Sequence, residues 1–319
     1  MDTTTAPPSH IWGCDVGKNE IVVFDGARLR RIANRPEALA AFVSHLDRDG
    51  LIVCEATGGY ELPLLAAALD AGVPAHRADA RKVKAFIRSF GTLGKTDAID
   101  ARALRRYGYE RHAGLTLWRA RDEDRVKLQS LVLVRRDLVE DRRCWQNRRD
   151  APGAEALSRH FDEILAVLKR QIVAVEAEIR ALTKSCEPLA EANEALVAVE
   201  GIGGKTSAAL LGLLPELGTV ANKQIVALSG LAPHPDQSGT EDRYRKTRGG
   251  RAEVKRTLFM AAMAASRSHP TLSVFYKRLL ANGKKKLVAL TAVMRKLVVI
   301  ANAVVKQVLA ARAARTQPC

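Results

Sequence analysis

The chain has 319 residues, of which 47% are apolar and 27% charged. This composition predicts a folded protein of two or more domains and excludes general disorder or a collagen-like fibre. No uncharged apolar run reaches about 18 residues, and the start, MDTTTAPPSH, lacks a basic stretch followed by an apolar one. We therefore expect neither a membrane span nor a secretory signal. The five scattered cysteines form no C-x-x-C pair, which favours a reducing cytoplasm over a disulfide framework or zinc module.

The charge is segregated along the chain. Up to residue 200 there are 31 basic and 30 acidic residues, and beyond it there are 20 and 5. After Glu253 the sequence has thirteen Lys or Arg and no acid. A one-signed field of this kind suits a polyanion and predicts nucleic-acid binding. The alternative is a basic surface that serves solubility alone, but solubility does not require the charge to be separated by domain.

The first 115 residues predict strands that alternate with helices. Strands are predicted at residues 10–17, 20–26, 27–34, 51–56 and 73–78, and helices at 36–47, 61–72, 80–90 and 97–111. Three strands in a meander followed by strand–helix alternation is the order of a ribonuclease H-like sheet. Order alone does not separate this fold from other α/β folds.

Two long helical patterns follow, at residues 122–151 and 157–184, with Pro152 and Gly153 between them. In the second, apolar residues recur in steps of three and four, which is a heptad seam. The pair predicts an antiparallel helical hairpin, with a plain helix pair inside a bundle as an equal alternative. Beyond Glu194 the patterns are mostly helical around one polar segment, Pro233 to Arg251. Near the end, apolar residues again recur in steps of three and four from Leu287 to Val308, and we expect this seam to be buried core. We expect three domains, at residues 1–115, 116–190 and 191–319, in an α/β plus α architecture.

Four carboxylates are candidates for one site. Asp15 ends the first predicted strand and Glu55 ends the fourth, so both emerge at one sheet edge if these strands are parallel neighbours. Asp97 and Asp100 share a face at a helix start. Clustered carboxylates repel unless hard cations bind among them. Two Mg²⁺ ions held this way would polarise a phosphodiester.

Each acid also has a structural interpretation. Asp97 can be a helix N-cap, with Asp100 favourable near the positive end of the helix dipole. Asp15 can be a turn former and Glu55 a surface acid. A strand-end Asp, a strand-end Glu after an apolar run and an Asp pair at a helix start together favour the site over these separate interpretations.

Two segments of the second half predict phosphate contacts. VEGIGGKTSAALL resembles a helix–hairpin–helix, in which Gly201, Gly203 and Lys205 would approach a phosphate at a helix N-terminus. A glycine-rich connection without a ligand is the alternative. In the polar segment, Ser238 precedes a run of basic residues that could hold the phosphate it attacks; a turn serine is the alternative. The basic candidates are Arg243, Arg245, Lys246, Arg248, Arg251 and Arg256, with Lys284, Lys285 and Lys286 further on.

The ordered motifs DVGK, EATGGYE, KTDAIDARAL, VEGIGGKTSAALL and RKTRGGRAEVKRTLFMAA resemble the insertion-sequence transposases of the Piv/MooV type, the IS-one-ten family. The resemblance runs from about Ile11 to Val308. It implies an N-terminal RuvC-like domain whose DEDD acids fall on Asp15, Glu55, Asp97 and Asp100. It also implies a C-terminal transposase domain whose serine nucleophile falls on Ser238.

The same resemblance implies partners. In that family the two domains of different protomers form a composite site, and the helical hairpin links protomers into dimers and tetramers. A structured non-coding bridge RNA pairs with target and donor DNA. The expected function is therefore a Mg²⁺-dependent, RNA-guided DNA recombinase with a covalent phosphoserine intermediate. Two alternatives stay open at this point: a metal-dependent junction-resolving nuclease, and a non-catalytic nucleic-acid-binding protein.

Overall fold

The computed structural model describes residues 7–91, 94, 96–120, 122–234, 237–238, 241–242 and 246–316, with the backbone alone at 237–238, 241–242 and 316. The chain divides into two units, Met1–Ala120 and Arg121–Cys319. Each unit has its own apolar core, as a chain of this length predicts. The four described cysteines, at positions 14, 54, 144 and 186, are free thiols.

The first unit is built on a mixed five-stranded sheet. Its spatial order is β3-β2-β1-β4-β5, in which β1, β2 and β3 run antiparallel while β4 and β5 run parallel to β1. The order is compatible with a ribonuclease H-like sheet. The first and fourth strands are parallel neighbours, which is the condition under which Asp15 and Glu55 emerge at one sheet edge. The strands are β1 (Ile11–Val16), β2 (Glu20–Phe24), β3 (Leu29–Ala33), β4 (Leu51–Glu55) and β5 (Ala75–Ala78).

Four helices cover the two faces of this sheet. They are α1 (Pro36–Val43), α2 (Leu62–Asp70), α3 (Ala80–Arg88) and α4 (Asp97–Arg111). The prediction carried α1 on to Asp47, but the amides of His45 and Leu46 donate to carbonyls only three residues back, so the chain leaves the α-helix there. One core packs Trp12, Cys14, Ile52 and Cys54 with residues of α1 and α2. The other packs Ile11, Leu51 and Val53 with residues of α3 and α4.

Helix α4 lies directly against β1 because small residues face each other. A Cβ at Gly13 would lie 2.0 Å from the carbonyl oxygen of Ala101, and one at Gly108 would lie 2.8 Å from Val53. The Arg105 guanidinium donates to the carbonyl of Ile11 at 3.0 Å. Since early helix residues meet Gly13 and later ones meet Ile11, α4 runs antiparallel to β1 and begins at the end of the sheet where β1 finishes.

Among its described residues, the regular structure of the second unit is helical apart from one short strand pair and one isolated bridge. Its core is formed by apolar residues of α5 to α12. Helical structure beyond Glu194, interrupted between Pro233 and Arg251, is confirmed. The elements are α5 (Glu123–Arg149), α6 (Ser158–Ser185), α7 (Glu187–Val197), α8 (Gly204–Leu213), α9 (Asn222–Leu228), β6 (Gln237–Ser238), β7 (Glu241–Asp242), α10 (Ala252–Ser268), α11 (Pro270–Ala281) and α12 (Lys286–Thr316).

Helices α5 and α6 pair as the predicted hairpin. Arg149 binds Asp162 at 2.5 Å near the tip, and Arg135 binds Glu176 at 2.7 Å further down. The predicted seam of α6 is buried from Ile172 to Leu182. The base of the hairpin is part of the apolar core of the second unit, since Leu128, Val175 and Ile179 pack there.

Helix α12 is long and apolar enough, by length and composition alone, to cross a membrane. Half of its apolar stretch is buried inside the second unit, as in the core helix of a globular domain. The predicted apolar seam of α12 is buried at Leu290, Met294, Leu297 and Ala301. The prediction that this seam is buried is wrong at Leu287, which is 65% exposed. This residue lies in the first turn of α12, before the part of the helix that packs on the core.

Candidate functional site

Asp15 and Glu55 lie side by side at one end of the sheet. Cys14 pairs with Cys54 in the parallel register of β1 and β4, so Asp15 and Glu55 occupy the next pair of positions. Adjacent strands are about 4.8 Å apart. Because side chains alternate along a strand, Asp15 shares the α4 face with Gly13, and Glu55 shares it with Val53. Both carboxylates are half-buried.

The first turn of α4 starts at the same end of the sheet. Asp97 precedes Ala101 by one helical turn, about 6 Å, and Asp15 follows Gly13 by about 7 Å of strand. The opposed directions of α4 and β1 therefore bring the backbone of Asp97 level with that of Asp15. Asp97 is exposed and Asp100 half-buried. The N-cap is Thr96, whose hydroxyl accepts the amide of Ile99 at 3.2 Å, so the interpretation of Asp97 as N-cap is wrong by one residue.

The four acids have the hard oxygen donors that Mg²⁺ prefers. Within the part of the chain that the structure describes, however, no three His, Cys, Asp or Glu side chains are grouped as the ligands of one metal ion. The backbone thus brings the predicted acids to one end of the sheet, while their side chains do not form a ready ligand set. A metal that binds here would draw the carboxylates together.

Sequence reasoning missed Glu61, the second acid of the EATGGYE motif. Its carboxylate is fully buried and forms an ion pair with Arg77 of β5. It also accepts the amides of Thr57 and Gly59 and the Thr57 hydroxyl, at 3.0, 2.9 and 2.8 Å. Burial raises the pKa of Glu61, but these hydrogen bonds outweigh burial and hold the pKa at about 2. Glu61 therefore fixes the loop that follows Glu55.

Replacing Glu61 with Gln is expected to destabilise the first unit by about 2–3 kcal/mol, because the guanidinium of Arg77 loses its partner. The lowered folded-state pKa means that the wild-type contribution is fully present above about pH 5 and is lost as the pH falls towards 2. Hydrogen exchange of the β4 and β5 amides, measured between pH 3 and 7, checks both effects. The matched control is Glu37→Gln in the exposed first turn of α1; equal losses in the two variants would contradict the assignment.

The glycine-rich turn between α7 and α8 has a packing role at its first glycine. Gly201 has φ +96°, and a Cβ there would lie 2.6 Å from the Cβ of Ala265. Around Gly203, the N-cap of α8, a Cβ would meet open space. The ammonium of Lys205 is bound by Glu176 at 2.7 Å. Gly201 is therefore required for packing, whereas Lys205 stays 67% exposed beside Glu176 and the backbone at Gly203 and Gly204 is exposed.

Ser238 lies in β6, where its backbone pairs with Glu241 of β7. The surrounding serine segment, residues 233–251, is closed at its base by a bridge between Pro233 and Thr247. Backbones cross closely below it, since a Cβ at Gly250 would lie 2.0 Å from the nitrogen of Gly230. The base of the serine segment is thus held against the helical core.

The predicted basic residues fall into three groups. Arg243 and Arg245 lie outside the described residues. Arg251 is bound by Glu216 through two contacts of 2.6 Å, so we assign it to anchoring the segment. Exposed basic side chains occur at Lys246, Arg256, Lys284, Lys285 and Lys286, and also at Arg248.

Two family comparisons match this chain. The transposase family DEDD_Tnp_IS110 matches residues 10–151, and the family described as transposase IS116/IS110/IS902 matches residues 193–277. Together they span more than two thirds of the chain. The first contains all four candidate acids and the second contains Ser238.

Similar proteins are known from two bacterial genera. A pilin gene-inverting protein of Moraxella lacunata is 29% identical over 80% of each chain, and that of Moraxella bovis is also 29% identical over 80% of each chain. An uncharacterised protein of insertion element IS110 from Streptomyces coelicolor is 30% identical over 45% of this chain and 36% of its own. The chain thus has both domains of the IS110-family transposases, in order, and is a DNA transposase or recombinase.

Proposed function

We propose that this protein cleaves and exchanges DNA strands through a covalent link between Ser238 and a DNA phosphate, with Mg²⁺ bound by Asp15, Glu55, Asp97 and Asp100. The observation that carries the proposal is that β1, β4 and the start of α4 bring four acids to one end of the sheet. A junction-resolving nuclease could use the same acids with water. The relatives named for gene inversion favour a recombinase, because inversion requires strands to be rejoined as well as cut.

A serine nucleophile suits rejoining for an energetic reason. The Ser238 oxygen forms a bond to phosphorus as the bond from phosphorus to a deoxyribose oxygen breaks, and the serine proton is lost while the departing oxygen gains one. One phosphodiester replaces another, so attack by a new deoxyribose hydroxyl can restore the DNA without an external energy source. Bound Mg²⁺ would supply charge stabilisation at the phosphate oxygens.

The family resemblance and the surface of the protein support two further partners. We propose a structured guide RNA for target and donor DNA, so that the protein itself needs to read few bases. We also propose a dimer or tetramer held by α5 and α6, which carry the exposed apolar side chains Val134, Val167 and Val173. A DNA-acting enzyme of this kind works in the cytoplasm, which agrees with the unpaired cysteines.

The experiment is a denaturing gel of labelled element-end DNA incubated with the protein and its co-purified RNA, with and without Mg²⁺. We expect a protease-sensitive covalent adduct only with Mg²⁺. Asp15→Asn should retain DNA binding within about twofold and lose at least about a hundredfold in adduct. Cut DNA without an adduct would instead support the nuclease, and binding indifferent to Mg²⁺ with no cleavage would support the non-catalytic alternative.

A further inference from the structure

A long groove runs along α10 beside the serine segment. Its volume is about 1290 Å³, above the range of about 300–1,000 Å³ typical of small-molecule pockets. One wall is a single face of α10, at positions 252, 255, 256, 259 and 260, and the other is the start of α12. The turn at Gly283–Lys285 and the two residues Lys246 and Thr247 complete the lining. The groove is therefore lined in part by the later residues of the serine segment and has room for part of a polymer.

The charge of this groove is one-sided. Five basic side chains line it, and no Asp or Glu does so among the residues that the structure describes. Lys255 donates to the Thr247 hydroxyl at 2.9 Å, which leaves its charge in place. The ammonium groups at 246, 255, 284 and 285 form no ion pair with any described carboxylate. The basic residues are Lys246, Lys255, Arg256, Lys284 and Lys285.

A second groove in the same unit differs in the ion pairing of its basic side chains. It measures about 770 Å³ and lies between α5, α6, α8 and α10. Its basic groups are largely paired, because Glu176 binds both Arg135 and Lys205, and Glu253 binds Arg136 at 3.5 Å. The first groove, between α10 and α12 (the α10–α12 groove), differs from it. Its Arg256 pairs with Glu253 at 3.0 Å, but its four ammonium groups have no described carboxylate partner and lie along an apolar floor.

The apolar floor of the groove favours some ligands over others. Met260 and Leu287 are 64% and 65% exposed, and Phe259 and Val288 lie beside them in the groove. Duplex DNA hides the faces of its bases and would contact the lysines alone. Unpaired bases have flat apolar faces that pack on such side chains. A second copy of this chain fits poorly, since its net charge of +16 opposes the five basic residues.

We propose that the α10–α12 groove holds an unpaired stretch of the DNA strand that Ser238 attacks. Phosphates lie along the lysine rim, and bases pack on Phe259, Met260 and Leu287. The inference rests on the proposed function only for the identity of the strand. It names the substrate as locally melted DNA, not intact duplex.

The test replaces exposed apolar residues with Gln inside and outside the groove, at equal exposure. The full chain carrying both Met260→Gln and Leu287→Gln is set against Val274→Gln, which is 64% exposed on α11 and outside the groove. Fluorescence anisotropy measures binding of a labelled 20-nucleotide DNA strand and of the duplex of the same sequence. We expect the groove variant to bind the single strand about 5- to 50-fold more weakly. Duplex binding and the Val274 control should change less than about twofold.

Further arms separate the remaining ligands. Replacing Lys284 and Lys285 with Gln should weaken both DNA forms and flatten the salt dependence. Equal loss on single strand and duplex, or no loss in the groove variant, would overturn the proposal. A larger loss on RNA of the same sequence would assign the groove to RNA, and a dissociating oligomer in sedimentation would assign it to a second copy; both overturn it. None of these measurements needs cleavage, so failure of the covalent adduct leaves the binding result standing.

Discussion

Ser238→Ala is expected to abolish covalent adducts and strand exchange, by at least about a thousandfold, while DNA and RNA binding stay within about twofold. The reason is that the proposed mechanism has one nucleophile, and its removal leaves no oxygen that can carry the DNA phosphate between strands. Adduct yield on denaturing gels and a recombination reporter in cells measure the two losses. The variant changes a single side-chain atom in the serine segment, so a fold defect is not expected.

The matched control is Ser268→Ala at the end of α10, where the exposed hydroxyl donates only to the carbonyl of Ala264. It should behave as wild type in both assays. If Ser238→Ala still cuts DNA in the presence of Mg²⁺, water is the nucleophile and the protein is a junction-resolving nuclease. If it still forms protein–DNA adducts, another side chain is the nucleophile and Ser238 is a turn residue.

The sequence predicts local structure in this chain well. Strand β4 is recognisable from its apolar run, and the predicted bounds of α4, residues 97–111, are observed, although its N-cap is Thr96 and not Asp97. The order of elements favours a ribonuclease H-like sheet, and once β1 and β4 pair in parallel as in the structure, Asp15 and Glu55 lie at one edge. These features depend on short-range patterns and on a small number of permitted topologies.

Contacts between distant residues are what the sequence did not predict. Glu61 is buried because Arg77, 16 positions later, lies on the neighbouring strand. Arg251 and Glu216, 35 positions apart, pair for the same kind of reason, so a basic residue expected on DNA is a structural anchor. The local amino-acid sequence of these segments does not distinguish a paired cation from a free one.

The α10–α12 groove depends on such distant contacts too. Leu287 continues the spacing of the buried seam, and only the packed structure leaves it exposed beside Met260. Lys255 belongs to a basic run in the sequence, but its contact with Thr247 joins α10 to the serine segment. The candidate DNA groove is therefore a property of the assembled helices.

Gly13→Ala is expected to remove activity without changing any of the proposed catalytic groups. The new Cβ would lie 2.0 Å from the carbonyl oxygen of Ala101 and 2.4 Å from the amide nitrogen of Arg105, so α4 must move away from β1. Asp97 and Asp100 move with α4, whereas Asp15 and Glu55 stay with the sheet. We expect a loss of about 2–4 kcal/mol in stability of the first unit, as for overpacking against backbone, and at least about a hundredfold less adduct.

Gly114→Ala provides the control, since a Cβ there meets no atom within 4 Å. Hydrogen exchange of the β1 and α4 amides distinguishes a local displacement of α4 from β1 in Gly13→Ala from unfolding of the whole protein. Protection should fall in α4 and β1 first, with the second unit unaffected. Full adduct yield in Gly13→Ala would mean that the four acids need no fixed distance between helix and sheet. The close crossing of α4 over Gly13 would then serve packing alone, and the carboxylates could not be one metal site.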